Sequence, residues 1–239
     1  MNDRQPTTAI IAAAGIGSRM HADRAKQMLE LGGTPLVMHT LERFEECKAI
    51  DRVILVLQPD LTAEVLALLS RRGLKKISRV VAGGPTRHES VFHGLQVLRG
   101  NDTVTDNNDD GVVVIHDAAR PFVRPSEIEA VVERAKSTGA AIMALPATDT
   151  IKQVKSGRVQ KTLERRRIYH AQTPQAFRLS LIRNAYERAQ AEGFIATDDS
   201  QLVERLGTRV AIVEGSPLNI KITRPLDLGL AEVILARYF

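Results

Sequence analysis

The segment Ala13-Ala14-Gly15-Ile16-Gly17-Ser18-Arg19-Met20, followed by Ala25-Lys26-Gln27, sets glycines, a hydroxyl and two cations directly behind a short apolar run. Glycines let backbone N–H groups approach phosphate oxygens closely, and Arg19 and Lys26 supply the positive charge that a triphosphate requires. Two other phosphate loops do not fit these letters. A dinucleotide fingerprint needs a third glycine where Met20 stands, and an acid at a strand end about twenty residues further on. A Walker loop needs Gly-Lys-Ser/Thr, which the segment lacks. For an isolated Gly-x-Gly, a plain glycine turn with two surface cations is the better explanation, so specificity has to come from the rest of the chain.

A second group is Gly83-Gly84-Pro85-Thr86-Arg87-His88-Glu89-Ser90-Val91, behind the apolar pair Val80-Val81. Its glycines permit a tight backbone approach, and Arg87 and Ser90 fall three apart on one helical face. The turn suits reading the edge of a base, and equally suits a common glycine-rich strand-to-helix connection. The third group is His116-Asp117-Ala118-Ala119-Arg120-Pro121, directly after the run Val112 to Ile115. A carboxylate there suits a Mg²⁺ or a ribose contact, and the planar fork of Arg120 suits a phosphate. His116 is expected to be a hydrogen-bonded support and not a general base, because a phosphate nucleophile is already ionised. His21, His39, His88, His93 and His170 show no metal-ligand spacing.

A fourth, later set comprises Asp149-Thr150-Ile151-Lys152, Glu164-Arg165, Gln172-Thr173-Pro174-Gln175, Thr197-Asp198-Asp199 and Asn219-Ile220-Lys221-Ile222-Thr223-Arg224-Pro225. Arg165 and Lys221 are candidates for holding a phosphorylated substrate. Arg165 also opens the run Arg165-Arg166-Arg167, and such runs usually face solvent. Thr197-Asp198-Asp199 also reads as a cap for the helix that follows.

These groups need a scaffold that gathers them. Thr8 to Ala12, Val53 to Leu57, Val112 to Ile115 and Ala140 to Leu145 are apolar on both faces, the mark of buried parallel strands. Helical patterns alternate with them at Pro35 to Phe44, Leu61 to Leu69, Arg87 to Leu98 and Pro125 to Lys136. Ser126 with Glu129 resembles a capping box. This alternation predicts an α/β fold, a mostly parallel sheet with helices on both faces. The pattern breaks after Leu145. Thr150 to Leu163 is polar, with Ser156-Gly157 at its centre, and predicts a projecting β-hairpin. Such an arm cannot stand alone and is expected to pack on a second copy. A helix at Leu179 to Ala191, a strand at Arg209 to Val213 and a helix at Pro225 to Ala236 complete the chain.

Composition narrows the function classes. The 239 residues suffice for one large α/β domain. Lys and Arg outnumber Asp and Glu by 33 to 28, without a basic tail or basic residues interleaved with aromatics. A pocket for small polyanions is therefore favoured over a nucleic-acid groove. Cys47 is the sole cysteine, which suits a reducing cytoplasm. Ala9 to Gly17 is too short and too poorly flanked to be a signal peptide, and no apolar run nears the ~20 residues of a membrane span.

Taken in order, these motifs resemble the 2-C-methyl-D-erythritol 4-phosphate cytidylyltransferases, from about Thr8 to the C-terminal helix. The resemblance implies a Rossmann-like sheet of the nucleotide-diphospho-sugar transferase type, one domain over 1–239, and a dimerisation arm at 149–166. It implies transfer of CMP from CTP to 2-C-methyl-D-erythritol 4-phosphate, with Mg²⁺ screening the triphosphate and pyrophosphate leaving. By the same resemblance Ala13, Ala14, Gly15, Gly17 and Ser18 hold CTP, and Arg19 and Lys26 stabilise the transition state. Gly83, Arg87 and Ser90 select cytosine, while Asp117 and Ala118 serve the ribose and the metal. Arg120, Thr150, Arg165, Thr197 and Lys221 contact the second substrate. Arg165 and Lys221 position its phosphate, with Arg165 reaching the neighbouring subunit's site. Ala25 stands where the family usually has proline, and Tyr169 where relatives often have tryptophan. A ribitol 5-phosphate cytidylyltransferase and a non-catalytic nucleotide-binding regulator are the alternatives.

Overall fold

The computed structural model describes residues 6–15, 25–98 and 111–239. The chain begins with β1 (Thr8–Ala13), a small hairpin of β2 (Glu30–Leu31) and β3 (Thr34–Pro35), α1 (Leu36–Glu46), β4 (Arg52–Leu57), α2 (Thr62–Arg72) and β5 (Ile77–Ala82). It continues through α3 (Arg87–Gln96), β6 (Val112–Asp117), α4 (Pro125–Thr138), β7 (Ala140–Pro146), β8 (Lys152–Lys155), β9 (Arg158–Thr162) and β10 (Tyr169–Arg178). It ends with α5 (Leu179–Glu192), α6 (Asp199–Arg205), β11 (Ala211–Glu214) and α7 (Pro225–Tyr238). No helix among the described residues is long and apolar enough to cross a membrane.

The seven-stranded sheet has the order β11-β7-β10-β6-β1-β4-β5. All neighbours pair in parallel except β10, which runs antiparallel to both β6 and β7. Side chains alternate across the sheet, so each buried strand feeds two cores. Ala9, Ile11, Val53, Leu55 and Val114 pack with α1, α2 and α4 on one face. Ile10, Ile54, Val56, Val113 and Ile115 pack with α3, α5 and α6 on the other. The predicted apolar runs thus all appear as strands, each extended by one or two residues at one end.

Three sequence expectations change. The N-terminus of α4 is closed by Glu127, whose carboxylate accepts the Arg124 backbone N–H at 2.7 Å; Ser126 and Glu129 do not form the box. Pro125 opens that helix, so the cap falls two residues earlier, at Arg124, than the Ser-x-x-Glu spacing suggests. The last strand begins at Ala211 instead of Arg209. β10 has no counterpart among the expected strands. Its centre, Gln172-Thr173-Pro174-Gln175, carries polar side chains and a proline, which argue against a central strand, and its pairing with β7 shifts register across that stretch.

The polar hairpin is present as β8 and β9, every residue exposed, with Val154 and Val159 opposed across it. Ser156 and Gly157 both have positive φ, 50° and 74°, as a two-residue turn matching the strands' twist requires.

Candidate active site

The sheet's order reverses at β1. From β1 the chain moves outward through β4 and β5, then returns to place β6 on the other side. A crevice opens at the carboxyl ends of the strands at such a switch point, and ligands of open α/β sheets bind there. Here the crevice is a cavity of about 270 Å³ lined by Ala12, Ala13, Ala14 and Gly15 after β1, and by Asp117, Ala118 and Ala119 after β6. Lys26, Gln27, Arg87, Ser90, Lys221 and Thr223 complete its wall. Four sequence groups that lie far apart along the chain thus meet in one place.

The walls are tightly built. The Ala118 N–H donates to the Ala12 carbonyl at 3.1 Å, carrying the pairing of β1 and β6 past the strand end. Gly83 donates its N–H to Leu57 O at 2.7 Å, and a Cβ on Gly83 would collide with Ala14 and the Ser90 hydroxyl. The two glycine turns therefore touch, and only glycine fits at 83. Thr86 caps α3 and exchanges hydrogen bonds with Glu89, which aims the first turn of α3 at the cavity. The Ser90 hydroxyl lies 2.8 Å from Thr86 O and accepts from Gly84 N–H, so it secures the turn from the cavity wall. Ala25 has φ −56° and ψ 134°, the conformation a proline imposes, so the segment entering Lys26 keeps that geometry without one.

Charge is concentrated on Asp117. Its Oδ1 accepts from Arg87 Nε at 2.8 Å, its Oδ2 lies 2.7 Å from Lys221 Nζ, and Arg120 Nε stands 3.8 Å away. Burial alone would favour the neutral acid, but Arg87 and Lys221 outweigh it and hold the carboxyl well below the usual range. Arg87 is fully charged for the converse reason. Burial works against it, and Asp199 and Asp117 raise it well above its ordinary value. With Arg120 and Lys26, the cations at the cavity outnumber Asp117 and Asp199, so the site is prepared for a polyanion.

Asp117 was expected to serve a metal. Both its oxygens are engaged by cations, and no group of three His, Cys, Asp or Glu among the described residues could hold an ion. These residues do not by themselves fit a standing metal site. Arg120 reaches the same region from behind, donating through Nη1 to Asn219 O at 2.8 Å. That bond ties the β6 end to the segment bearing Lys221. Asn219 is buried and donates to Thr173 O at 2.9 Å, which gives the polar centre of β10 its place in the interior.

Gly17, Ser18 and Arg19 lie outside the described residues. Thr150, Thr197 and Arg165 are exposed and do not line the cavity within one chain. Arg165 donates to Thr148 O at 2.6 Å near the base of the arm. Thr197 stands just ahead of α6, and the cap itself is Asp198, whose Oδ1 accepts Gln201 N–H. Sequence reasoning missed Gln27, buried at the wall with its Nε2 unpartnered, and Asp199, buried against Arg87. The doublet Asp198-Asp199 held the signal. Successive helical residues point about 100° apart, so one acid caps the helix and the other turns inward.

His116 is buried beneath this site, its Nε2 3.1 Å from Arg120 O and its ring against Phe44. Burial lowers its pKa from 6.5 to about 4. Between those values the unfolded chain binds the extra proton, so stability falls as pH drops, by about 3 kcal/mol once the fall is complete. Urea unfolding at pH 7 and pH 4.5 should show this loss in the native chain and a flatter dependence in His116→Gln. An unchanged slope in the variant would remove His116 as the cause.

With this geometry in place, known proteins supply the comparison. The family model described as IspD, 2-C-methyl-D-erythritol 4-phosphate cytidylyltransferase, matches residues 7–237. The enzyme of that name from Bacillus licheniformis is 45% identical over 226 residues, covering 95% of this chain and 94% of its own. Its namesake from Geobacillus kaustophilus is 45% identical over 228 residues, covering 95% and 96%. The crystal structure of 4-diphosphocytidyl-2C-methyl-D-erythritol synthase from Anaerococcus prevotii superposes with a TM-score of 0.82 at 33% identity, over 98% of this chain and 97% of that one. The Thermus thermophilus cytidylyltransferase does so with a TM-score of 0.76 at 32% identity, over 97% and 99%. Because the match runs through every element that builds the cavity, the chain belongs to the 2-C-methyl-D-erythritol 4-phosphate cytidylyltransferase family.

Proposed function

We propose that this chain transfers the cytidylyl group of CTP to 2-C-methyl-D-erythritol 4-phosphate. An oxygen of the polyol phosphate attacks the α-phosphorus of CTP, forming a new P–O–P link. The bond from that phosphorus to the β-bridging oxygen breaks, and pyrophosphate leaves with the electron pair. The nucleophile is already anionic, so no general base is needed and the buried, neutral His116 is not asked to act as one. The barrier lies in bringing anions together and in the charge that builds on the leaving group, and fixed cations lower both.

The observation that carries this reading is the meeting of three parts at one switch point: the turn bearing Lys26, the start of α3 with Arg87 and Ser90, and Asp117 with Lys221. Lys26, with Arg19 ahead of it, faces the triphosphate. Ala13, Ala14 and Gly15, with Gly17 and Ser18 following, supply the phosphate cradle. Gly83, Arg87 and Ser90 frame cytosine, and Asp117 and Ala118 meet the ribose. Lys221, held at the rim by Asp117, and Arg120 direct the second phosphate. Mg²⁺ enters as the counter-ion that CTP brings with it.

Offering CTP with methylerythritol phosphate or ribitol 5-phosphate and measuring pyrophosphate decides the acceptor. Faster turnover of ribitol phosphate would replace the reading by its alternative. The protein works in the cytoplasm, a setting that suits the buried thiol of Cys47.

The exposed arm is proposed to build a homodimer, since a two-stranded hairpin gains stability only against a further surface. Arg165, at the base of the arm and away from its own chain's cavity, then serves the partner's second substrate. Arg165→Ala should raise KM for the polyol phosphate by ~10-fold or more while leaving KM for CTP within about 2-fold. Mixing Arg165→Ala with Lys26→Ala subunits should restore part of the activity. Equal damage to both KM values, or no restoration, contradicts a shared site.

A further inference from the structure

Arg87 is anchored from two sides. Its Nε donates to Asp117 and its Nη2 donates to Asp199 Oδ2 at 2.7 Å. Asp199 lies in the first turn of α6 with no exposed surface, and its other oxygen accepts the Tyr186 hydroxyl at 2.5 Å. Tyr186, on α5, is buried as well, stacked between His88 and Phe92 of α3, with ring centroids 4.7 and 6.0 Å away. The chain of contacts is closed: α3 carries Arg87, α5 carries Tyr186, α6 carries Asp199, and each holds the next. Among the described residues Nη1 of Arg87 has no hydrogen-bond partner, which leaves that arm of the fork for a ligand in the cavity.

A buried ion pair is a poor source of stability, because desolvating its charges costs about what their attraction returns. An apolar pair of similar size would fold this corner as well. What the carboxylate adds is direction. A guanidinium held at Nε and at one terminal nitrogen cannot rotate about its long side chain, so its remaining donors point along a fixed line.

We infer that Asp199 and Tyr186 are positioning residues for the nucleotide, acting through Arg87 to fix the donor that distinguishes the base of CTP. This rests on the reading of Arg87 as a contact to the nucleotide. Discrimination follows from rigidity. A donor that cannot swing rewards the base whose acceptor lies on its line, whereas a loose one serves either pyrimidine.

The test uses the full-length protein, with CTP and UTP as competing substrates and melting temperature recorded in parallel. Asp199→Asn should raise KM for CTP by ~10-fold, with kcat changing less, and cut the CTP-over-UTP ratio of kcat/KM by a similar factor. Tyr186→Phe keeps the stacked ring and removes only the hydroxyl, and should shift the same ratio about 3-fold. If Asp199→Asn fails to fold, Tyr186→Phe alone decides. If the variants melt lower but keep the wild-type CTP-over-UTP ratio, the network is structural only and the inference is overturned. Arg87→Ala separates the two levels. Were it to leave both KM for CTP and the ratio unchanged, the assignment of Arg87 to the nucleotide would itself be wrong. Were it to change them while Asp199→Asn and Tyr186→Phe did not, only the positioning role would be lost.

Discussion

Lys26→Ala is expected to lower kcat by about 10²- to 10³-fold, a loss of ~3 kcal/mol or more of transition-state stabilisation, the scale measured when one preorganised donor is removed from an oxyanion site. The cation sits on the cavity wall within a tight turn, where Leu29 N–H donates to Lys26 O at 3.1 Å. The turn fixes the backbone before substrate arrives, so no reorganisation is needed as charge builds on the departing pyrophosphate. That charge is larger in the transition state than in bound CTP. The loss should therefore fall on kcat and kcat/KM together, with a smaller change in KM. Steady-state release of pyrophosphate measures it, and circular dichroism guards against misfolding. Normal turnover in the variant would mean that the first loop has been misread, and would revive a nucleotide-binding regulator without catalysis.

Asp117→Asn should have the second large effect, on stability as well as turnover. Asp117 is the anion on which Arg87 and Lys221 converge, with Arg120 close behind. Neutralising it leaves these cations facing one another in a partly dry site. Removing one partner of a buried ion pair costs roughly 3–5 kcal/mol, because the charge left behind remains buried and unmatched. For a chain of this size about 3 kcal/mol corresponds to a fall of roughly 6–12 °C in Tm. The pH dependence gives a sharper check. The folded carboxyl is depressed, so its contribution is complete above the unfolded value of 3.8 and fades as pH falls below it. The gap in stability between the native chain and the variant should stay constant from pH 8 to pH 5 and close only in stronger acid. A variant as stable as the native chain at pH 7 would show that the ion cluster contributes nothing to the fold.

The two effects differ in how visible they were beforehand. Lys26 stands in a motif whose glycines and cation suit phosphate binding, a reading that neighbouring letters suggest and that the other motifs reinforce. Asp117 was recognisable as a carboxylate at a strand end, but its partners were not. Its expected role in holding a metal assumed free oxygens, and the structure gives those oxygens to Arg87 and Lys221. The roles of Thr150 and Thr197 entered by family resemblance, and Arg165 was also a candidate phosphate contact from the sequence; within one chain all three stand outside the cavity.

Local patterning alone determined the strands apolar on both faces, the helices between them, the glycine turn that follows β5, and the polar hairpin. Hydrophobic periodicity and turn chemistry act over a few residues, so adjacent letters carry them. Tertiary structure alone decided that β10 enters the sheet antiparallel with its polar centre buried, where Asn219, 46 positions away, donates to Thr173 O. It alone decided that Arg87 meets Asp199, 112 positions later, beneath the cavity. Which polar groups pair across such distances follows from strand order and helix packing. A polar side chain reads the same in a sequence whether it ends in water or against a buried charge. Of the first loop, Ala13, Ala14, Gly15 and Lys26 line the cavity. Arg87 was named from the sequence, but the acids that hold it, Asp117 and Asp199, became its partners only when the sheet closed around them.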